Sequence, residues 1–162
     1  MTKKEKQTIE ENKKLCEEFP FLIPRNRFTD KIPEDYDYTY TELDDECPEG
    51  WDKLKINFYK EIKPILEKEN YIDKYRIIQS KEKWGYWHLY CNGLPEKIYD
   101  EYNDILRKYE KLSSHTCIFC GDENAKMTYC GWIFPCCKNC WESDEHLNDV
   151  PYEEATKDDD LL

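Results

Sequence analysis

Apolar positions recur at three- and four-residue steps in two segments of this chain, and apolar strand-like runs lie between them. Trp51, Leu54, Phe58, Ile62, Ile65 and Leu66 form one helical stripe over residues 51–69. Pro64 falls inside that stripe and predicts a kink or a break near residue 60. Ile98, Tyr102, Ile105, Tyr109 and Leu112 form a second stripe, entered through Pro95, a residue suited to the first turn of a helix. Between the two, residues 75–80 and 84–91 read as strands joined by Lys81-Glu-Lys83, a hairpin. In the second arm Trp84, Tyr86, His88 and Tyr90 share one face while Trp87, Leu89 and Cys91 share the other. Both faces are apolar enough to be covered, with helices expected on at least one side.

The flanking segments are more polar. Residues 3–18 predict a charged helix with Ile9, Leu15 and Cys16 as thin apolar spots. Phe19-Pro-Phe-Leu-Ile-Pro24 ends it, because each proline disfavours helix at the residue before it. Tyr36, Tyr38 and Tyr40 alternate with Asp37 and Thr39, a pattern that fits a short strand or an ordered loop. Farther on, residues 127–134 predict a strand or hairpin arm.

Cysteine spacing adds the first chemistry. Cys117-x2-Cys120 and Cys137-x2-Cys140 are separated by sixteen residues, inside the window for a zinc site built from two knuckles. Each pair can supply two thiolates from one tight turn to a tetrahedral Zn2+ at about 2.3 Å. Gly121 suits the left-handed residue that such a turn wants after Cys120. Four thiolates close the shell, so one structural Zn2+ is expected. Cys136 can replace Cys137 as a ligand, and Cys130, His115 and His146 are reserve ligands. The rival is a disulfide framework. An odd total of nine cysteines and a charged start, Met1-Thr-Lys-Lys-Glu-Lys, argue instead for a reduced, cytoplasmic protein.

With that lobe included, the expected fold is α+β, a small antiparallel sheet flanked by helices and closed by a C-terminal four-cysteine zinc-ribbon-like lobe. Its expected organisation is a body over 1–114, the zinc lobe over 115–141 packed on it, and an acidic, partly disordered tail over 142–162. No apolar run reaches the ~20 residues of a membrane span. Aromatic residues make up 15% of the chain, so the core must find partners for buried hydroxyl and indole groups.

The net charge of −12 is uneven. Residues 34–49 hold eight acids and no base, and residues 141–162 hold nine acids and one lysine, which leaves +4 for the rest. Solvated surface is one reading of those two segments. The sharper one is a surface that seeks a basic protein partner, with Asp35, Asp37, Glu42, Asp44, Asp45, Glu46, Glu142, Asp144 and Glu145 as the contact residues. A basic aromatic patch can also be drawn, from Pro24-Arg-Asn-Arg-Phe28 with Lys53, Lys55, Lys60, Lys81 and Lys83. The overall charge opposes nucleic acid binding, and Lys126 and Lys138 within the cysteine segment are better placed to offset the −2 of a four-thiolate zinc centre.

Catalytic signatures are missing from the sequence: there is no phosphate-cradling glycine loop, no GxSxG and no HExxH. His88 reads as a core histidine before a general base. Asp44, Asp45 and Glu46 read as a solvated loop before a Mg2+ site, and the neighbouring Cys136 and Cys137 do not make a ready redox pair. The chain is expected not to be an enzyme.

Several blocks together carry a resemblance: Phe19-Pro-Phe-Leu-Ile-Pro-Arg-Asn-Arg-Phe-Thr29, Tyr40-Thr-Glu-Leu-Asp44, Pro48-Glu-Gly-Trp51, residues 75–85, and the two cysteine pairs with Gly121, Gly131 and Trp132. Over residues 15–141 the chain resembles small phage- and prophage-encoded proteins that carry these blocks in this order. The resemblance implies a zinc site at Cys117, Cys120, Cys137 and Cys140, with the extra Cys130 and Cys136 leaving the ligand choice open. It also implies a phage accessory role in the host cytoplasm. In size, charge and metal content the chain is similar to zinc-containing anti-CRISPR proteins of low-GC Gram-positive prophages. The function expected from all this is non-catalytic binding and inhibition of a host nucleic-acid-handling protein, a CRISPR effector nuclease in particular. A nucleic-acid-binding zinc-ribbon module is the alternative, and a small hydrolase or redox enzyme the third class.

Overall fold

The computed structural model describes residues 3–155 of the chain and has an α+β fold. In chain order its elements are α1 (Lys3–Glu18), α2 (Asp52–Lys68), β1 (Arg76–Lys83), β2 (Tyr86–Asn92), α3 (Tyr99–Ser113), β3 (Lys126–Tyr129), β4 (Ile133–Cys136) and α4 (Lys138–Ser143). Strands β1 and β2 form one antiparallel hairpin, and β3 and β4 form another. The first is the small antiparallel sheet expected of the body, and the second is the hairpin of the cysteine lobe.

Helix α2 runs unbroken through Pro64. Proline removes one helical N–H, and the carbonyl that loses it belongs to Lys60. Lys60 and Pro64 both face solvent, where water can satisfy that carbonyl, so the expected break does not occur. Its buried stripe is Leu54, Phe58, Ile62 and Leu66, with Lys55 and Tyr59 also turned inward. In α3 the stripe holds at Tyr102 and Tyr109, whereas Leu112 is exposed and Ser113 is buried in its place.

The first hairpin turns two residues later than the sequence reading placed it. Lys83 pairs with Tyr86, and the connection is Trp84-Gly85, with both residues at positive φ (57° and 76°). Two left-handed residues in a two-residue loop suit the right-handed twist of the strands. Only one face of this hairpin is covered. Trp87 and Leu89 are buried beneath it, while Tyr86 and Tyr90 are exposed. Helix α3 supports the inner side, where Ser113 Oγ accepts from Trp87 N at 2.8 Å.

Phe58 is the centre of an aromatic core. Its ring meets Tyr59, Trp87, Tyr102 and Tyr109 edge-on at centroid distances of 5.2–5.8 Å. Buried polar groups on the rings find partners: Tyr75 Oη and Tyr102 Oη lie 2.6 Å apart, and Trp87 Nε1 donates to Ser80 Oγ at 2.8 Å. Tyr59 is the exception, with its hydroxyl buried and unpartnered.

Lys55 is fully buried at the edge of this core. Its ammonium donates to Leu43 O at 3.0 Å and pairs with Asp45 at 2.9 Å and Asp52 at 3.1 Å. Burial alone would lower its pKa; the pairing with Asp45 and Asp52 together outweighs burial and raises it. The acidic segment is thereby tied to α2, and Glu46 forms a bridge alongside Lys81 of β1.

Lys55→Ala leaves Asp45 buried without its cation and is expected to cost about 3–5 kcal/mol of stability by urea unfolding. Because the lysine pKa is raised in the folded state, this contribution is fully present below the ordinary lysine value of 10.5. The gap between wild type and variant should narrow only as pH climbs past that value.

Candidate metal centre

Two short turns bring four sulfurs together. After α3, Ser113 and Ser114 return hydroxyl donors to Glu110 O and Lys111 O, closing the helix and releasing the chain into the first knuckle. There Gly121 N donates to Cys117 O at 3.0 Å with Gly121 at φ 77°, the left-handed residue expected from the sequence. The second knuckle is the start of α4. Cys137 is its N-cap, and its sulfur accepts from Cys140 N at 3.5 Å. The β3–β4 hairpin carries the chain between the knuckles, and Ile118 N donating to Pro135 O (3.0 Å) docks the first knuckle on β4.

Cys117, Cys120, Cys137 and Cys140 present sulfurs that all lie within 4.8 Å of one another and could hold a metal ion. The Cys120–Cys137 separation is 3.6 Å, far beyond a disulfide bond. A tetrahedron with metal–sulfur bonds of ~2.3 Å has edges of ~3.8 Å, so this spacing fits a four-thiolate ion. Cys117 and Cys137 are buried, Cys140 is half-buried and Cys120 faces outward. Desolvation raises the Cys117 thiol, yet backbone N–H donors from Cys137, Cys120 and Phe119 outweigh it and hold the group down at about 7. Burial pushes Cys137 up against the opposing hydrogen bonds from Cys140, and burial followed by the neighbouring thiols pushes Cys140 up. Thiols this close resist ionising together, and a cation among them removes that resistance.

Cys136 and the reserve ligands Cys130, His115 and His146 are not among the four clustered sulfurs. Cys136 is buried one residue away, and its thiol donates to Cys137 O at 3.3 Å. Cys130 is exposed at the tip of the β3–β4 hairpin, His146 is exposed in the C-terminal segment, and His115 is exposed beyond α3. Lys126 lies over the Tyr152 ring and Lys138 pairs with Glu142.

The lobe and the body share one hydrophobic core. Trp51 Nε1 donates to Thr116 O at 2.8 Å, and Gly50 N donates to Ile118 O at 3.1 Å. A methyl group on Gly50 would collide with the Cys117 carbonyl oxygen and lie 2.6 Å from the carbonyl carbon of Ile118. Gly50 is the functional position that motif reading missed; its signal was the Pro48-Glu-Gly-Trp51 block, whose glycine has no other evident use. The C-terminal segment is also ordered as far as residue 155. Trp141 Nε1 donates to Val150 O, Tyr152 Oη to Cys136 O, and Ala155 N to Met127 O, which lays this segment along β3. The remainder of the acidic tail, 156–162, lies outside the described residues.

The nine acids read as contact residues divide by their surroundings. Asp35, Asp37, Asp44, Glu46, Glu142 and Glu145 are exposed. Asp45 is turned inward to Lys55, Glu42 is half-buried, and Asp144 accepts from His146 N and Leu147 N. Likewise Lys55 leaves the candidate basic patch for the interior. His88 is half-exposed at the edge of β2, with its Nδ1 3.5 Å from Glu110.

Comparison with known protein families, with curated proteins and with solved structures finds no match. Among the described residues no helix is long and apolar enough to cross a membrane.

Cys120→Ser is expected to abolish stoichiometric metal binding and to open residues 115–155 to limited proteolysis, while Cys136→Ser leaves the metal content unchanged; elemental analysis and digestion patterns check both. Gly50→Ala should destabilise by about 1–3 kcal/mol through overpacking. That lowers the Tm by roughly 2–12 °C in calorimetry.

Proposed function

We propose that this chain is a zinc-stapled, non-catalytic binding protein that docks an ordered acidic loop on a basic surface of a partner that handles nucleic acid. What carries the reading is the loop itself. Tyr36 Oη donates to Tyr40 O at 2.7 Å, Asp37 accepts from Thr39 N and Oγ1, and Asn12 of α1 donates to Tyr38 O at 2.8 Å. The Tyr36 ring lies 4.8 Å from Tyr38 and 5.5 Å from Tyr40. Residues 34–46 are thus held in one conformation with Asp35, Asp37, Glu46 and the Tyr40 ring facing solvent. A charged surface already ordered before binding loses little entropy on docking, and an exposed tyrosine is a suitable anchor within it.

Zinc is the ion this donor set favours, because four thiolates in a tetrahedral arrangement suit its borderline-soft character. A closed shell of four sulfurs keeps no position for water or substrate, which supports a structural ion and a non-catalytic protein. The resemblance to phage-encoded proteins points to a CRISPR effector nuclease in the host cytoplasm as the specific target. Glu142 and Glu145, exposed on the zinc lobe, form a second acidic patch for the same purpose.

The test is binding of the zinc-loaded protein to a purified, guide-loaded CRISPR effector nuclease, with nuclease activity read in parallel. Asp35→Lys/Asp37→Lys/Glu46→Lys is expected to lower the association rate at least about tenfold and to flatten its salt dependence. An unchanged association rate removes the acidic loop from the interaction.

A further inference from the structure

The outer face of the β1–β2 hairpin carries a row of exposed rings with cations across from them. Tyr86, His88 and Tyr90 follow one another along β2, and the register sets Lys83, Lys81 and Gln79 opposite them on β1. Tyr86 is 41% exposed and Tyr90 51%, so each offers a ring face to solvent. Lys81 Nζ stands 5.4 Å from the Tyr90 ring centroid. At the tip, Trp84 is 54% exposed although its backbone is left-handed at φ 57°. Asn, Asp or Gly would relax that turn, and a bulky ring neither relaxes it nor buries itself there. Strain retained by an exposed side chain points to a use outside the fold.

The same face continues into a cleft of mixed charge at its other end. Arg76 pairs across the strands with Asn92, in line with Tyr90, and both residues line a cleft of about 180 Å³ in which Arg25, Arg27 and Arg76 outnumber the acids Asp30 and Glu42. Arg76 is engaged by Asp30 at 2.7 and 2.9 Å, which fixes the cleft wall. Arg25 Nε is buried with no hydrogen-bond partner, while its Nη1 donates to Asp30 O at 2.9 Å. From Tyr86 to Asn92 the strand spans ~20 Å.

We propose that this face is a track for single-stranded nucleic acid, with bases stacked on Tyr86, Tyr90 and Trp84 and phosphates passing Lys83 and Lys81 toward Arg25 and Arg27. Stacking is indifferent to sequence because every base has a π-face, and the cations follow the backbone. Acids also meet the track: Glu46 lies beside Lys81 of β1, Glu110 pairs with His88, and Glu42 and Asp30 line the cleft with the arginines. The acidic loop therefore adjoins the track along β1, where Glu42 and Glu46 share a cleft with Arg27 and Gln79. The track goes beyond the proposed docking of the loop and needs no partner protein for its test.

Fluorescence anisotropy of labelled ten-nucleotide oligothymidine and oligouridine, titrated with the zinc-loaded full chain at low salt, decides it, with a duplex of equal length as the control. Saturable binding of at least one single strand, stronger than the duplex, is expected. Tyr86→Ala and Tyr90→Ala should each weaken it about 5- to 150-fold, with Tyr86→Phe and Tyr90→Phe retaining it. The logarithm of affinity should fall with the logarithm of salt by about 0.7 per phosphate contacted, so Lys83→Gln should flatten that slope by about 0.7. Trp84→Asn should raise the Tm while weakening binding, a combination that a purely structural role for the ring does not produce. Failure of both single strands to bind, or undiminished binding by the Tyr86→Ala/Tyr90→Ala double variant, overturns the track.

Discussion

The close approach of Gly50 to the first knuckle is the constraint on which the rest of the structure depends. Cys117 and Cys120 lie just past α3, Cys137 and Cys140 at the start of α4, and the backbone of Gly50 and Trp51 at the entrance to α2. One backbone bond to Ile118 O and one indole bond to Thr116 O therefore fix the lobe against α2 and the end of α3. Four sulfurs meeting within 4.8 Å then hold the two knuckles together, so an ion at that point stabilises contacts throughout the last third of the chain. Trp141 and Tyr152 close the far side and bring the acidic C-terminal segment onto β3.

The arrangement divides the molecule by charge. Lys55 draws Asp45 inward and pairs with the partly exposed Asp52, so part of the apparent acidity is internal and structural. Asp35, Asp37, Asp44 and Glu46 remain outside in and after the tyrosine-braced loop, while the hairpin's outer face keeps its lysines beside exposed rings. Net charge alone opposes any contact with phosphate, but the Debye length of ~8 Å at physiological salt makes a surface answer to its own neighbours first.

Much was legible in advance where a local rule operates. The α2 and α3 stripes, the hairpin, and the cysteine pairs with Gly121 follow from periodicities and spacings that need no knowledge of distant contacts. The differences arise where packing decides. Pro64 is tolerated because it lands on the solvent side of α2. Leu112 is exposed because Ser113 takes the position that bonds to Trp87 N. Tyr36, Tyr38 and Tyr40 alternate like a strand but brace one another in a loop, because no neighbouring strand offers them a ladder. Lys55 and Asp45, each an ordinary surface residue by type, are drawn inside by one another.

The sequence by itself determined that two paired cysteine turns could share an ion, that the long helices were amphipathic, and that two segments were strongly acidic. These are properties of spacing and composition, set by backbone geometry within a few residues. Tertiary structure alone decided that Cys136 stays outside the cluster, which acids face solvent, that one side of the first hairpin is uncovered, and that Gly50 must lack a side chain. Each depends on which distant segment arrives at a given surface, and residue type and periodicity do not encode that arrival.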